Sequence, residues 1–306
     1  MSTLVARSDM ARDVLSLYGL ITWISIGIGA LVFVILGYVL LRFRDRPGAP
    51  LPPQTHGRPW LEIAWTLGPA LVLLVIAIPT IQVIFRTQSQ AKPRGALEVT
   101  VRGYQWWWEF RYPALGVVTA NELHLPAGRP VVFSLEGPDV IHSFWVPKLG
   151  GKRDVVPGRG NVITLTPDGP GDLWGQCAEF CGASHANMGM RVIVDAPADF
   201  DRWVSAQRAP AVEPGADAAA GKALYAASAC VGCHTVRGVS AGVLGPDLTH
   251  FGSRGTLAGG MFTNTPAHVA AWVRDAPALK PGVKMPAFTL TDDQARALAA
   301  YLTGLK

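Results

Sequence analysis

The sequence predicts a multidomain membrane protein: a two-helix transmembrane hairpin, then an all-β sandwich, then a small all-α domain. Three observations carry that prediction. Two long uncharged runs, Tyr18–Leu41 and Ile63–Phe85, lie early in the chain. From Leu97 the hydrophobic period changes from helical to two, the pattern of half-buried strands. After a stretch rich in Ala and Pro, helical signals return with capping residues of their own. A chain of 306 residues has room for two or three domains at roughly 150 residues each.

The first run is 24 residues long. At ~1.5 Å rise per residue it crosses a hydrocarbon core of about 30 Å. The second has 23 residues and contains Pro69 and Pro79, which membrane helices tolerate better than soluble ones. The mean hydropathy of +0.25 agrees. Neither run has the short apolar region and small-residue cleavage site of a secretory leader. The loop between them carries Arg42, Arg44, Arg46 and Arg58, whereas the N-terminal tail carries Arg7 and Arg12. The positive-inside rule therefore puts the loop in the cytoplasm and both termini outside. Arg86, Lys92 and Arg94, just past the second run, weigh against that orientation. The hairpin and its tail occupy residues 1–94. The net charge of +5 comes without a dense Lys/Arg run interleaved with aromatics, so nucleic acid is not expected as a partner.

Leu97–Val101 alternates strictly. Val131–Leu135, Val162–Thr166 and Met190–Val194 are further short β-branched runs, separated by clusters of Pro, Gly and Asp. This density of strands and turns predicts an antiparallel sandwich over residues 95–200, ending near Ala196-Pro197. Residues 201–216 read as a linker. The third domain, 217–306, has three expected helices. Ala218–Ala227 leads into a cysteine pair, Pro266–Arg274 has proline at the first helical position, and Thr291–Leu305 opens on Thr-Asp-Asp, a cap with negative charge at the positive end of the helix dipole.

Four cysteines fall in two tight pairs, Cys177/Cys181 and Cys230/Cys233. Two disulfides are one reading of such a count, but the context of each pair points to a cofactor. Cys177, Cys181, His185 and Met188 lie within twelve residues, and all are soft or borderline ligands that suit copper better than magnesium or calcium. Two thiolates four residues apart can bridge two coppers. A second imidazole is needed, and His142 is the candidate, because loops 35 residues apart in sequence can meet at one end of a sandwich. Zinc sites commonly space their cysteines by two and rarely use methionine. The second pair lies in Cys230-Val231-Gly232-Cys233-His234, the attachment signature of c-type haem. A low-spin haem needs a sixth ligand. Met285 is preferred, since methionine opposite histidine raises the potential; Met261, His250 and His268 are its rivals.

Residues 1 to about 200 resemble subunit II of the haem–copper cytochrome c oxidases. The motifs are C-x-E-x-C-G-x-x-H-x-x-M over Cys177–Met188, Val140-Ile141-His142-Ser143-Phe144, the aromatic run Gln105–Phe110, and Leu61–Thr66. The copper pattern is shared chiefly with nitrous oxide reductase. The resemblance implies a cupredoxin Greek-key sandwich holding dinuclear copper A. Its ligands would be His142, Cys177, Cys181, His185, Met188 and the backbone carbonyl of Glu179, with Met190 a competitor for the thioether role. It also implies that the Glu179 carboxylate reaches a magnesium ion shared with subunit I, the alternative being a solvated surface residue. Trp106 would lie on the electron route into copper A, and the plainer reading of the three tryptophans is an aromatic patch at the membrane interface. Glu62 would mark the mouth of a proton path, or be a simple helix-end charge. Residues 217–306 resemble a class I cytochrome c, with Gly245-Pro246-Asp247-Leu248 as its haem-facing loop, and the fusion resembles the caa-type oxidases.

The function so implied is subunit II of a bacterial aerobic terminal oxidase in the inner membrane, with copper and haem domains on the periplasmic or extracellular side. Electrons from an external donor, a cytochrome c or a quinol-oxidising complex, would pass through haem c and copper A to subunit I. That subunit would reduce oxygen to water with proton translocation, and subunit III would complete the complex. The membrane runs contain no histidine, so the oxygen-reducing centre is expected on the partner. Two alternatives stay open: the copper-A subunit of a nitric oxide reductase, and a free-standing membrane-anchored electron carrier.

Overall fold

In the computed structural model, which describes residues 2–48, 50, 54, 56–89, 91–212, 215 and 218–306, both uncharged runs are helices that outrun their apolar stretches. Helix α1 covers Asp9–Arg42 and α2 covers Pro59–Thr87. α1 starts early because the Ser8 hydroxyl accepts from Ala11 N at 3.0 Å while Asp9 occupies the first turn, a cap and a favourable charge at the dipole's positive end. α2 begins with Pro59 in the first turn, where its missing N–H costs nothing. Apolar side chains along both helices face outward, Phe33 and Phe85 at 75 % exposure. Core helices of a soluble protein would bury such residues; helices surrounded by lipid leave them exposed. Arg86 in the last turn of α2 pairs with Asp13 of α1 at 3.3 Å.

The sandwich is built from β1 (Leu97–Tyr104), β2 (Trp107–Tyr112), β3 (Val117–Ala120), β4 (Glu122–Pro126), β5 (Val131–Glu136), β6 (His142–Trp145), β7 (Arg153–Val155), β8 (Asn161–Leu165), β9 (Gly171–Cys177) and β10 (Gly189–Asp195). One sheet runs β3-β2-β1-β5-β8 and the other β4-β10-β9-β6-β7. The alternation read at Leu97–Val101 appears as buried Leu97, Val99 and Val101 around exposed Glu98 and half-buried Thr100. Phe110, Phe133, Phe144, Leu123, Leu135 and Val192 fill the space between the sheets. The expected antiparallel arrangement needs correcting in one respect. β1 pairs with β5 in parallel, and β10 pairs with β4 in parallel, because Greek-key crossings bring sequence-distant strands side by side in the same direction.

A second correction concerns the end of the sandwich. Pro197–Arg208, which spans the last residues of the expected sandwich and the first half of the expected linker, is helix α3. Pro197 takes a first-turn position and Asp199 adds negative charge there. Phe200 and Val204, one turn apart, are buried in the sandwich core. The Phe200 ring lies 6.4 Å from Tyr112, and Trp203 stacks on His124 at 4.3 Å. The segment that follows is also held. Ala209 O faces His250 Nε2 at 3.1 Å, and Val212 N donates to Lys306 O at 2.7 Å. Linker residues Glu213, Pro214 and Ala216, and the third domain's opening residue Asp217, lie outside the described residues.

The third module contains α4 (Ala219–Ala227), α5 (Cys230–Cys233), α6 (Pro266–Arg274), α7 (Ala276–Leu279) and α8 (Asp292–Gly304), with two small hairpins, β11–β12 (Thr235–Val236, Ser240–Ala241) and β13–β14 (Thr256–Leu257, Phe262–Thr263). Thr291 and Gln294 form a reciprocal capping box at the start of α8, satisfying two orphan N–H groups. α4 crosses α8 at Gly221, where a Cβ would lie 2.0 Å from Ala297 O.

Phe200→Ala is expected to cost about 3–5 kcal/mol of sandwich stability, the usual cost of emptying a buried phenyl site, read as a shifted urea midpoint. A residue in a solvated linker would move it by less than about 0.5 kcal/mol.

Candidate metal and haem sites

β9 ends on Cys177 and β10 begins at Gly189; the two pair antiparallel with Gln176 opposite Gly189. The ligand-rich loop is therefore the connection between neighbouring strands, and Cys177 N donating to Met188 O at 2.9 Å closes its base. β6 lies on the other side of β9, with Phe144 opposite Cys177. That register puts His142, two residues before Phe144, at the mouth of the loop.

Six donor atoms converge there. His142 Nδ1 is 3.9 Å from Cys177 Sγ, the two sulfurs are 3.8 Å apart, Cys181 Sγ is 3.5 Å from His185 Nδ1 and 3.8 Å from Met188 Sδ, and the Glu179 carbonyl oxygen is 3.2 Å from Cys177 Sγ. A disulfide needs about 2.05 Å, so both thiols are free. Met190, the competitor for the thioether role, is buried on β10 against Gly175, its partner on β9. The Glu179 side chain is exposed. A hydrogen bond from Cys181 holds the Cys177 thiol far below its ordinary value despite burial, and the same bond pushes Cys181 up. Two cysteine sulfurs, two imidazoles and a thioether in a buried pocket match the preferences of copper.

Supports that sequence reading missed surround these atoms. His142 Nε2 bonds Asp139 Oδ1 at 2.8 Å. A carboxylate on the far nitrogen leaves Nδ1 to face the cluster and fixes the ring. Burial pushes Asp139 up, but bonds from His142, Gln105 N and Val140 N outweigh it and hold the carboxyl below its usual range. Burial likewise pushes His142 down, and the bond to Asp139 reverses the net direction. Cys181 O accepts from Gln105 Nε2 at 2.7 Å and Trp106 Nε1 at 3.0 Å, which pins the loop centre to the aromatic run. Gly182 sits at φ 114°, where a Cβ would come within 3.0 Å of Trp106. A carboxylate three residues before a candidate ligand was a readable signal for Asp139. Nothing local flags Gln105.

In the third module Cys230 and Cys233 bracket the single turn α5 and are free. His234 Nδ1 lies 2.8 Å from Pro246 O. A carbonyl can only accept, so Nδ1 carries the proton and Nε2 keeps its lone pair for a metal. Burial lowers the His234 pKa and favours that neutral form. A Cβ at Gly245 would fall 2.6 Å from His234 Cε1, so the expected haem-facing loop passes directly over the imidazole. These residues fit a covalently held haem. Met285 is half-buried against the same core. Of the rivals, His250 Nε2 bonds Arg237 at 2.6 Å and Ala209 O, and His268 Nδ1 bonds Thr263 O at 2.8 Å. Glu62 stands exposed in the first turn of α2.

Fold and sites together define a membrane-anchored redox subunit: a cupredoxin-type sandwich with a dithiol cluster, carried on a helical hairpin and followed by a C-x-x-C-H module. Comparison with known proteins names the family. The family models "Cytochrome C oxidase subunit II, transmembrane domain", "Cytochrome C oxidase subunit II, periplasmic domain" and "Cytochrome c" match residues 2–83, 114–196 and 218–306. Cytochrome c oxidase subunit 2 of Alkalihalophilus pseudofirmus is 38 % identical, covering 91 % of this chain and 83 % of that one. The Bacillus subtilis protein of the same name is 36 % identical, covering 100 % and 92 %. The solved periplasmic domain of subunit II of cytochrome oxidase from Bradyrhizobium japonicum is 30 % identical, covers 38 % of this chain and 96 % of that one, and has a TM-score of 0.37. The chain belongs to the cytochrome c oxidase subunit II family, in a form carrying a C-terminal cytochrome c domain, and so to an oxidoreductase complex.

Asp139→Ala is expected to weaken metal binding at the cluster by roughly 10–100-fold, the usual loss when a ligand's orienting partner is removed. Chelator competition on the purified protein measures it.

Proposed function

We propose that the chain is the electron-entry subunit of a bacterial aerobic terminal oxidase, and that it relays electrons from an external donor to an oxygen-reducing, proton-translocating subunit I. The observation that carries this reading is the convergence of His142, Cys177, Glu179 O, Cys181, His185 and Met188 at one end of the sandwich. Those six are the proposed copper A ligands. Cys230 and Cys233 are the proposed haem c attachment points, with His234 and Met285 as axial ligands. Bound there, copper A and haem c each take up and release single electrons. The protein's own residues orient them: Asp139 fixes His142, Pro246 O fixes His234, and Trp106 and Gln105 hold the Cys181 carbonyl. The buried, pre-shaped ligand set supports small rearrangement during electron uptake.

In this reading Trp106 lies on the electron route, and its N–H bond to the Cys181 carbonyl supports that. The exposed Glu179 carboxylate is free to meet a magnesium ion shared with subunit I. Glu62 faces the proton path of the same partner. The copper and haem domains lie on the periplasmic side with both termini, and subunit III completes the assembly. Orientation gains support from the N-terminal tail. Arg7 N donates to Lys148 O at 2.8 Å, Ser8 Oγ to Leu149 O at 2.6 Å, and Asp9 N to Thr166 O at 3.3 Å. The tail therefore lies on the same side as the sandwich.

The purified complex is expected to hold two coppers and one haem c per chain and to consume oxygen rather than nitric oxide. Nitric oxide consumption without oxygen uptake would favour the reductase alternative. Pull-down without a haem-containing large subunit would sink the oxidase reading. Cys181→Ser is expected to abolish the near-infrared copper A band while haem c remains, and Met285→Ala to perturb haem c without loss of copper. A near-infrared band surviving without Cys181 would overturn the ligand assignment.

A further inference from the structure

The cytochrome module touches the sandwich through contacts that owe nothing to the chain connecting them. Lys280, between α7 and the segment leading to Met285, is 2 % exposed. Its Nζ donates to Trp106 O in the sandwich and to Ala258 O in its own module, both at 2.8 Å. In the opposite sense, Glu122 of β4 is 3 % exposed. Its Oε1 accepts from Gly255 N at 2.8 Å, Thr256 N at 2.9 Å and Thr256 Oγ1 at 3.1 Å, with Arg191 beside it at 3.7 Å. A buried amine thus reaches from the cytochrome into the sandwich, and a buried carboxylate reaches from the sandwich into the cytochrome.

Between these two pins the backbones come close enough to need glycine. Gly189 N donates to Gly259 O at 3.0 Å. Gly260, at φ 86°, lies where a Cβ would be 2.6 Å from Trp174, and Gly282, at φ 81°, where one would be 2.7 Å from Trp106. Ser184 Oγ, next to His185, donates to Pro281 O at 2.6 Å. The stretch 280–283 lies over Trp106, which is 7 % exposed.

We propose that Lys280 is a positioning residue: it latches the cytochrome module onto the copper module, with Glu122 as the second pin, so that the segment carrying Met285 is seated on Trp106 in a fixed dock. This rests on the copper and haem reading above. A module held only by a tether would search for its partner at an effective concentration of order mM, and transfer would then wait on encounter. A latched module has no encounter step. Burying a lysine amine is costly, and its two carbonyl partners account for its retention, because an apolar side chain in its place leaves both oxygens unpaired. The same dock covers Trp106, so an external donor must deliver its electron to the cytochrome module.

Two measurements on the intact complex test the latch. In the first, hydrogen–deuterium exchange is followed over residues 254–262 and 280–285. Lys280→Met is expected to speed exchange there tenfold or more, with no change in the amides of α8. In the second, haem c is reduced by a flash and the copper near-infrared band is followed. The wild-type transfer rate is expected to be independent of glycerol viscosity. Lys280→Met is expected to slow it at least tenfold and make it viscosity-dependent, with both absorption bands retained. Should Lys280→Met not fold, Glu122→Gln tests the other pin by the same readouts with the same expected direction. A wild-type rate that falls with viscosity overturns the proposal, as does either variant exchanging at the wild-type rate. A chain lacking the copper band would fail the functional reading instead, and the exchange measurement would still decide the latch.

Discussion

The register between β6 and β9 is the constraint on which the copper-side architecture depends. Phe144 opposite Cys177 leaves His142 to meet the Cys loop from the neighbouring strand. Strand side chains alternate with a period of two, so a one-residue slip would turn His142 to the other face. The core enforces the register. Phe144 lies between Trp108, Phe110 and Phe133, with ring centroids 5.9, 6.5 and 5.4 Å away. A slip would expose that ring and lose roughly 1.5–3 kcal/mol from its burial alone. The apolar core thus sets the geometry of the polar site.

This explains which parts were readable in the sequence. The membrane helices were readable because their length and lack of charge are set by the bilayer alone. The ligand loop was readable because its residues lie within twelve positions, and the haem signature because it is contiguous. Strand β1 declares itself by alternation, and β5, β8 and β10 by short β-branched runs. β9 does not. Its Gly171-Asp172-Leu173-Trp174-Gly175-Gln176 has weak strand propensity and is held by partners on both sides, where context overrides preference. Helix α3 was missed for a related reason. Phe200 and Val204 are too few apolar residues to make a strong periodic signal, and their burial depends on Tyr112, nearly ninety positions earlier in the chain.

The supports of the site were the least readable. Asp139 is near His142 in sequence, but Gln105 and Trp106 act through bonds to the Cys181 carbonyl and Pro246 acts through its own carbonyl, and bonds at backbone atoms leave no compositional trace. Lys280 is the extreme case. By type it belongs on the surface, and its neighbours in sequence are Leu279, Pro281 and Gly282. Burial pushes its amine down to about 7, opposed by the nearby Cys181. Such a group is stable inside only where its donors are spent on fixed acceptors, and here one acceptor belongs to each module.

That division of acceptors bears on why the two modules are fused. A tether supplies concentration, and concentration alone would ask nothing of the facing surfaces. These surfaces carry glycines where backbones touch, a buried carboxylate aimed at N–H groups and a buried amine aimed at carbonyls. Each is costly in a surface that is free for part of the time, since an undocked Glu122 or Lys280 would lose its partners and regain water with every separation. The pattern belongs to an interface closed as a permanent part of the fold. Between α3 and the third module, Arg237 donates to Gln207 O and Arg208 O, so even the start of the connecting segment is fixed. Covalent linkage and docking therefore act together: the first removes the cost of assembly, and the second sets one geometry between the haem-binding and copper-binding residues.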